Sequence, residues 1–161
     1  MPRISANTIT NGPSGLLSLS STAVDAGDAW TNLDWAEAAK TAAETINTKL
    51  TAFVANPAIA LKLAALEEQT GSNKQLLSAD PAAPTGRVIS GVPPYTSATI
   101  GDDIVWGIPA AHSLVVIRSD ATVVTDGSVY FPSDQVAVRA TIRVGVGFTY
   151  PAAVVKIATT P

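Results

Sequence analysis

The chain has 161 residues, 47% of them hydrophobic and only 14% charged, which is too apolar for a disordered polar polymer and suits one domain, or one compact domain with an appendage. A formal charge of −3 provides no basic field to attract nucleic acid. Without cysteine there can be no disulfide, thiolate metal site or cysteine nucleophile.

The N-terminal stretch MPRISANTITNGPSG has one arginine and no apolar run of about 7–15 residues, so it does not read as a signal peptide. No window approaches the roughly 18 continuous apolar residues of a membrane-spanning helix. A cytoplasmic setting is expected. Residues 1–29 are rich in Ser, Thr, Asn and Gly, with only Gly15 to Leu19 apolar, and read as a loop or extended arm.

A helix is predicted over about residues 33–47. Thr31 and Asp34 have capping-box spacing, and Asp34 and Glu37 sit near its positive end. Trp35, Ala39, Ala42 and Ile46 form the stripe that faces a core; being mostly alanine, it requires a close partner. Leu50 to Ala55 reads as a short buried strand. A second helix follows, with Asn56 as its cap, Pro57 in its first position, Ile59, Leu63 and Leu66 as its buried stripe and Gly71 as its stop. Ser78 to Gly86 is a loop.

From Arg87 onward the pattern is strands and turns. RVISGV is broken by Pro93-Pro94; DIVWGI and SLVVIR follow. Asp126-Gly127, between ATVV and SVYF, is a hairpin signal. From Val136, every second residue to Phe148 is apolar, while the alternate set carries Arg139, Thr141, Arg143, Gly145 and Gly147. This predicts a strand of about 15 residues, against the usual 5–6. Then come Pro151 and AAVVKIA. No internal repeat or low-complexity tract is visible. The fold class expected is α+β: a mixed sheet with two helices packed on it and a long strand or hairpin extension.

Chemistry-bearing constellations are few. His112, with Ser113 beside it and Asp120 after it, cannot converge as a triad from one strand, whose neighbours face opposite ways. A surface or turn histidine is the plainer reading. Asp102-Asp103 lacks the spaced partners a hard cation needs and reads as a solvated turn. Gly12 to Gly15 lacks nucleophile-elbow spacing, and Arg143 to Gly147 lacks phosphate-loop spacing. Trp30, Trp35 and Trp106 could form a stacking platform for a sugar-binding β module, core or interface packing being the default. No catalytic, cofactor or metal residue is assigned. Arg139 and Arg143 share one strand face, with Arg118 and Asp134 as candidate ion-pair partners. That face is either solvated or a contact between subunits, where arginine makes bidentate pairs.

The blocks PSGLL, TNLDWAEA, TAFVANPAIALKLAALEEQTGSNKQLL, GVPPYTS, VVIRSDATVV and VYFPSDQVAVRATIRVGVGFTYPAAVVKI stand in an order that resembles the major capsid proteins of tailed phages. These have the Hong Kong 97 fold, also found in encapsulin shells, and the blocks cover most of residues 13–158. The resemblance implies an icosahedral shell subunit in the virion, without enzyme activity, assembled in the bacterial cytoplasm. It implies association with copies of itself, enclosure of DNA without sequence-specific binding, no membrane, and scaffold, portal or decoration proteins as further partners. It makes residues 30–112 with 149–158 axial-domain-like, residues 113–148 the returning peripheral strands, and residues 1–29 an arm or loop. Arg118, Asp134, Arg139 and Arg143 become candidate subunit-contact residues. Family members also carry an arm, an extended loop and a spine helix before the PSGLL block, so roughly the N-terminal half of the pattern is expected to be absent. Because cross-linking members use a lysine on that loop, no cross-linking role falls on a residue here. Without a spine helix the apolar face Val136–Phe148 lacks cover, so either the chain self-associates or residues 113–148 fold back to shield it. An encapsulin-type shell and a ligand-binding β module are the alternatives.

Overall fold

The computed structural model describes residues 15–27 and 30–159. The chain divides into two compact units, one formed by residues up to Ser113 and from Phe148 onward, the other by Leu114–Gly147.

In the first unit, α1 spans Asp34–Thr45 and α2 spans Pro57–Ala64. Five strands, β1 (Thr22–Asp25), β2 (Ala52–Ala55), β3 (Pro94–Thr96), β4 (Ile104–Ile108) and β7 (Val155–Ala158), form a mixed sheet in the order β1-β7-β4-β2-β3. β7 and β4 are antiparallel, as are β4 and β2, while the outer pairs β1–β7 and β2–β3 are parallel. α1 lies against β1 and β7, and α2 against β3. The expected α+β architecture is therefore present.

The start of α1 departs from expectation. Thr31 makes no capping bond; the Asp34 N–H donates instead to Asn32 Oδ1, at 3.3 Å. The reason lies one residue on. Trp35 is 2% exposed, and its indole N–H needs an acceptor once buried. It donates to the Asn32 carbonyl at 2.9 Å, which holds the entry to the helix. The buried stripe is Trp35, Ala36, Ala39 and Ala43, with Ala42 and Ile46 only half-buried. Asn47, at φ 55°, ends the helix in a Schellman arrangement: its N–H bonds the Glu44 carbonyl and that of Thr48 bonds Ala43.

At α2 the expected cap and proline are in place. Asn56 Oδ1 accepts the Ala58 N–H at 2.9 Å, and Asn56 Nδ2 donates to the Ile100 carbonyl at 2.7 Å. Gly71 is not the stop, since the helix ends at Ala64. Leu66 turns back to accept the Leu76 N–H, and Gly71, at φ +81°, serves the turn beyond, its N–H bonded to Glu67 Oε2. The arm also needs correcting. Residues 22–25 form β1, aligned with residues 155–158, and Thr22 Oγ1 donates to the Ala152 carbonyl.

One face of the sheet buries Phe53, Val105, Val155 and Ile157 against Trp35, Ala39, Ile59 and Leu63. The other buries Trp106 with Leu16, Ile100 and Val154, and Phe148 packs on that cluster. Gly107 sits at a close approach: a Cβ there would lie 2.9 Å from Leu50 Cδ1, so the Leu50 side chain would have to shift.

The second unit is a two-stranded ribbon of β5 (Ser113–Asp126) and β6 (Ala137–Phe148). SLVVIR and ATVV, read as separate runs, are one strand. SVYF is not a strand; the connection takes residues 127–136, with a tight turn at Phe131–Ser133 and Asp134 at φ 53°. Asp126 Oδ1 bends the chain away by accepting from both the Ser128 N–H and its hydroxyl.

Asn56 thus anchors a helix start and a loop together. Asn56→Ala should lower unfolding free energy by about 1–2 kcal/mol in a denaturant titration. Asn56→Asp, which keeps the cap and loses only the donor to Ile100, should cost less.

Candidate functional site

Among the described residues, none of the chemistry-bearing side chains converges on a reaction site. His112 Nδ1 lies 3.2 Å from Thr149 Oγ1, and its ring meets Tyr150 edge-on at 5.9 Å. The Ser113 hydroxyl donates to the Pro109 carbonyl, and Asp120 Oδ1 accepts the neighbouring Ala121 N–H. The histidine forms a clasp where the chain leaves and re-enters the compact unit; the Thr149 N–H donates to the His112 carbonyl at 3.0 Å. Among the described residues no three His, Asp or Glu side chains are grouped to hold a metal, and Asp102 and Asp103 are exposed on a turn. Most of the Gly12–Gly15 motif lies outside the described residues, and Arg143–Gly147 is part of β6.

The tryptophans overturn the sugar-platform reading. Trp30, Trp35 and Trp106 are at most 5% exposed. Trp30 packs edge-on against Trp35, and Trp35 against Phe53, both at 5.4 Å. The aromatic faces are consumed by the core and none is open to a ligand.

The ribbon is the surface that stands out. Val138 is 65% exposed, Ile142 55%, Val115 69% and Ile117 58%; Leu114, Val116, Val123, Val124, Val136, Val144 and Val146 are exposed as well. Val138, Ile142, Val144 and Val146 on the apolar face of β6 stay exposed, so residues 113–148 do not fold back to shield it within the ribbon. The full length of β5 is harder to read from sequence: the unbroken run Leu114–Ile117 makes both of its faces apolar there, without the clean alternation of β6. Exposed apolar area of this extent on a two-stranded ribbon marks an interaction surface.

Arg118, Asp134, Arg139 and Arg143 are all exposed on this unit. The ion pairs among the described residues are Glu37–Lys40 and Glu68–Lys74, so Asp134 does not neutralise the arginines. Arg118 and Arg143 come together instead. With Val116, Ile142, Val144 and Gly145 they line a shallow depression of about 430 Å³. Two cations with no anion between them favour an acidic group from elsewhere.

Residues 3–159 match the sequence pattern of the phage capsid family. No curated protein matches in sequence. Among solved structures, the chain is similar to one from Mycobacterium phage Ogopogo, with a TM-score of 0.67 at 13% identity, covering 99% of this chain and 60% of that one. A chain from phage G major capsid and decoration proteins gives 0.60 at 15% identity, covering 96% and 56%. The virus-like particle from Pyrococcus furiosus gives 0.59 at 18%, covering 88% and 58%. The chain thus spans less than two thirds of each.

At the ribbon turn, the hydrogen bond from the Ser128 hydroxyl, then that from its N–H, holds the Asp126 carboxyl below the ordinary aspartate value. The folded pKa being depressed, the turn's contribution is complete above the unfolded pKa and fades as pH falls through the folded one. In an NMR titration Asp126 should titrate below an unperturbed aspartate, and Ser128→Ala should raise its midpoint.

Proposed function

The chain belongs to the phage capsid family, and from that premise we propose that it is a structural subunit of an icosahedral phage shell, acting by self-association. The family is structural, not enzymatic. The observation that carries the reading is the contrast between the two units: the first buries its large apolar residues in two clusters, while the second exposes nearly all of its own. Fully burying a Val or Ile side chain contributes about 1.5–3 kcal/mol, so covering half of the exposed ribbon residues offsets the roughly 4–15 kcal/mol cost of association.

In this reading residues 30–112 with 149–158 are the axial part of the subunit, grouped with copies around symmetry axes. Residues 113–148 are the peripheral strands, and the ribbon is the assembly surface. Arg118, Arg139 and Arg143 pair with acidic groups of neighbouring subunits, and Asp134 supplies an anion to a neighbour's arginine. The site of action is the virion, after assembly in the host cytoplasm. The enclosed DNA is held by confinement, consistent with a net charge of −3. Portal, scaffold and decoration proteins are the further partners such a shell would take. With the similarity to a virus-like particle from Pyrococcus furiosus beside it, an encapsulin-type shell is the second reading; particles of the protein that contain DNA support the phage shell, and protein cargo supports the other.

Sedimentation velocity over a concentration series should show the chain associating. Val144→Asp combined with Ile142→Asp should leave a folded monomer, with near-ultraviolet dichroism from the buried tryptophans unchanged. A wild-type chain that stays monomeric at every concentration would contradict the proposal.

A further inference from the structure

The turn that follows β5 holds a chemically labile step. Asp126-Gly127 is the one Asp-Gly pair in the 161 residues. In such a pair the backbone nitrogen of the glycine attacks the aspartate Cγ. The N–Cγ bond forms, the nitrogen gives up its proton, and the carboxyl loses its hydroxyl as water, leaving a cyclic succinimide. Water then opens the ring at one of its two carbonyls. Opening at Cγ restores aspartate; opening at the main-chain carbonyl leaves isoaspartate, with the chain running through the former side chain. No oxidant or reductant takes part. Glycine suits the reaction because it has no Cβ to obstruct the approach and the freest backbone of any residue.

The surroundings leave this step accessible. Asp126 is the last residue of β5, so the Gly127 nitrogen lies outside the strand. Asp126, Gly127 and Ser128 are all exposed, and a Cβ built on Gly127 would meet nothing within 4 Å. The carboxylate, however, is held. Its Oδ1 accepts the Ser128 N–H at 2.8 Å and the Ser128 hydroxyl at 2.6 Å. Asp80 and Asp120, by comparison, each accept one backbone N–H. Both bonds to Asp126 favour the ionised carboxylate and draw it toward residue 128. Cyclisation needs the opposite on each count: a protonated carboxyl, whose hydroxyl can depart, and one free to swing back onto the Gly127 nitrogen.

We propose that the Ser128 hydroxyl guards the Asp126–Gly127 step, which makes Asp126 a latent isomerisation site that opens when this hydrogen bond is lost. The consequence falls on the connection between β5 and β6. Isoaspartate adds a carbon to the main chain at the end of β5 and removes the side-chain oxygen on which the turn closes. The inference does not depend on the assembly reading.

The test is prolonged incubation of the folded 161-residue chain near neutral pH, followed by digestion and electron-transfer mass spectrometry to read isoaspartate at position 126. Ser128→Ala keeps the backbone bond and removes the hydroxyl, and should accumulate isoaspartate at least about fivefold faster than wild type. Ser128→Thr, which keeps a hydroxyl at the same place, should retain the wild-type rate. Adding Gly127→Ala to Ser128→Ala should slow the reaction again, because the new Cβ crowds the attacking nitrogen while meeting no other part of the fold. Near-ultraviolet dichroism from the buried tryptophans should be the same for all four chains, since residues 127 and 128 are exposed. Equal accumulation in wild type and Ser128→Ala, or no isoaspartate in either, would overturn the guard. Slower accumulation in Ser128→Ala would also overturn it, the hydroxyl then serving as an acid for the departing oxygen.

Discussion

The whole arrangement depends on where β7 sits. The last strand in the chain is second in the sheet, parallel to β1 on one side and antiparallel to β4 on the other. Val155 and Ile157 fill one core cluster, and Val154 beside them fills the other. Neither layer closes until residues 154–158 arrive, so the chain must return after its excursion beyond β4. The His112–Thr149 clasp is the local form of that requirement. It lets a long ribbon be inserted into a small sheet without disturbing either core, because exit and re-entry are held by backbone hydrogen bonding.

That placement also explains what sequence could and could not show. Asn56-Pro57 and the alternation of Ala137–Phe148 are local signals, and both elements form where those signals put them. β1 has no local signal: TAVD is four residues in a serine- and threonine-rich stretch, and it becomes a strand because β7 offers an open edge. Thr31 had the spacing of a cap, yet the buried indole of Trp35 decided the helix entry through the Asn32 carbonyl. At the end of α1, where no glycine lies between Gly27 and Gly71, a left-handed Asn47 makes the stop.

The candidate surface was half legible. The arginine face of β6 showed itself by period-two spacing, but its company did not. The long-range pairing of β5 and β6 brings Arg118 beside Arg143 and leaves Asp134 apart from both in the ion-pair network. Register between distant strands is written in no short stretch of sequence.

The ribbon also faces a hazard of its own. Long flat strands rich in valine are templates for cross-β stacking, in which chains add without limit. Here Arg118, Arg139 and Arg143 interrupt the apolar rows with unneutralised charge, and Gly145 and Gly147 leave gaps where a steric zipper would need side chains. The same residues therefore act as gatekeepers against fibre growth, the role charged and small residues play beside unavoidable apolar strands.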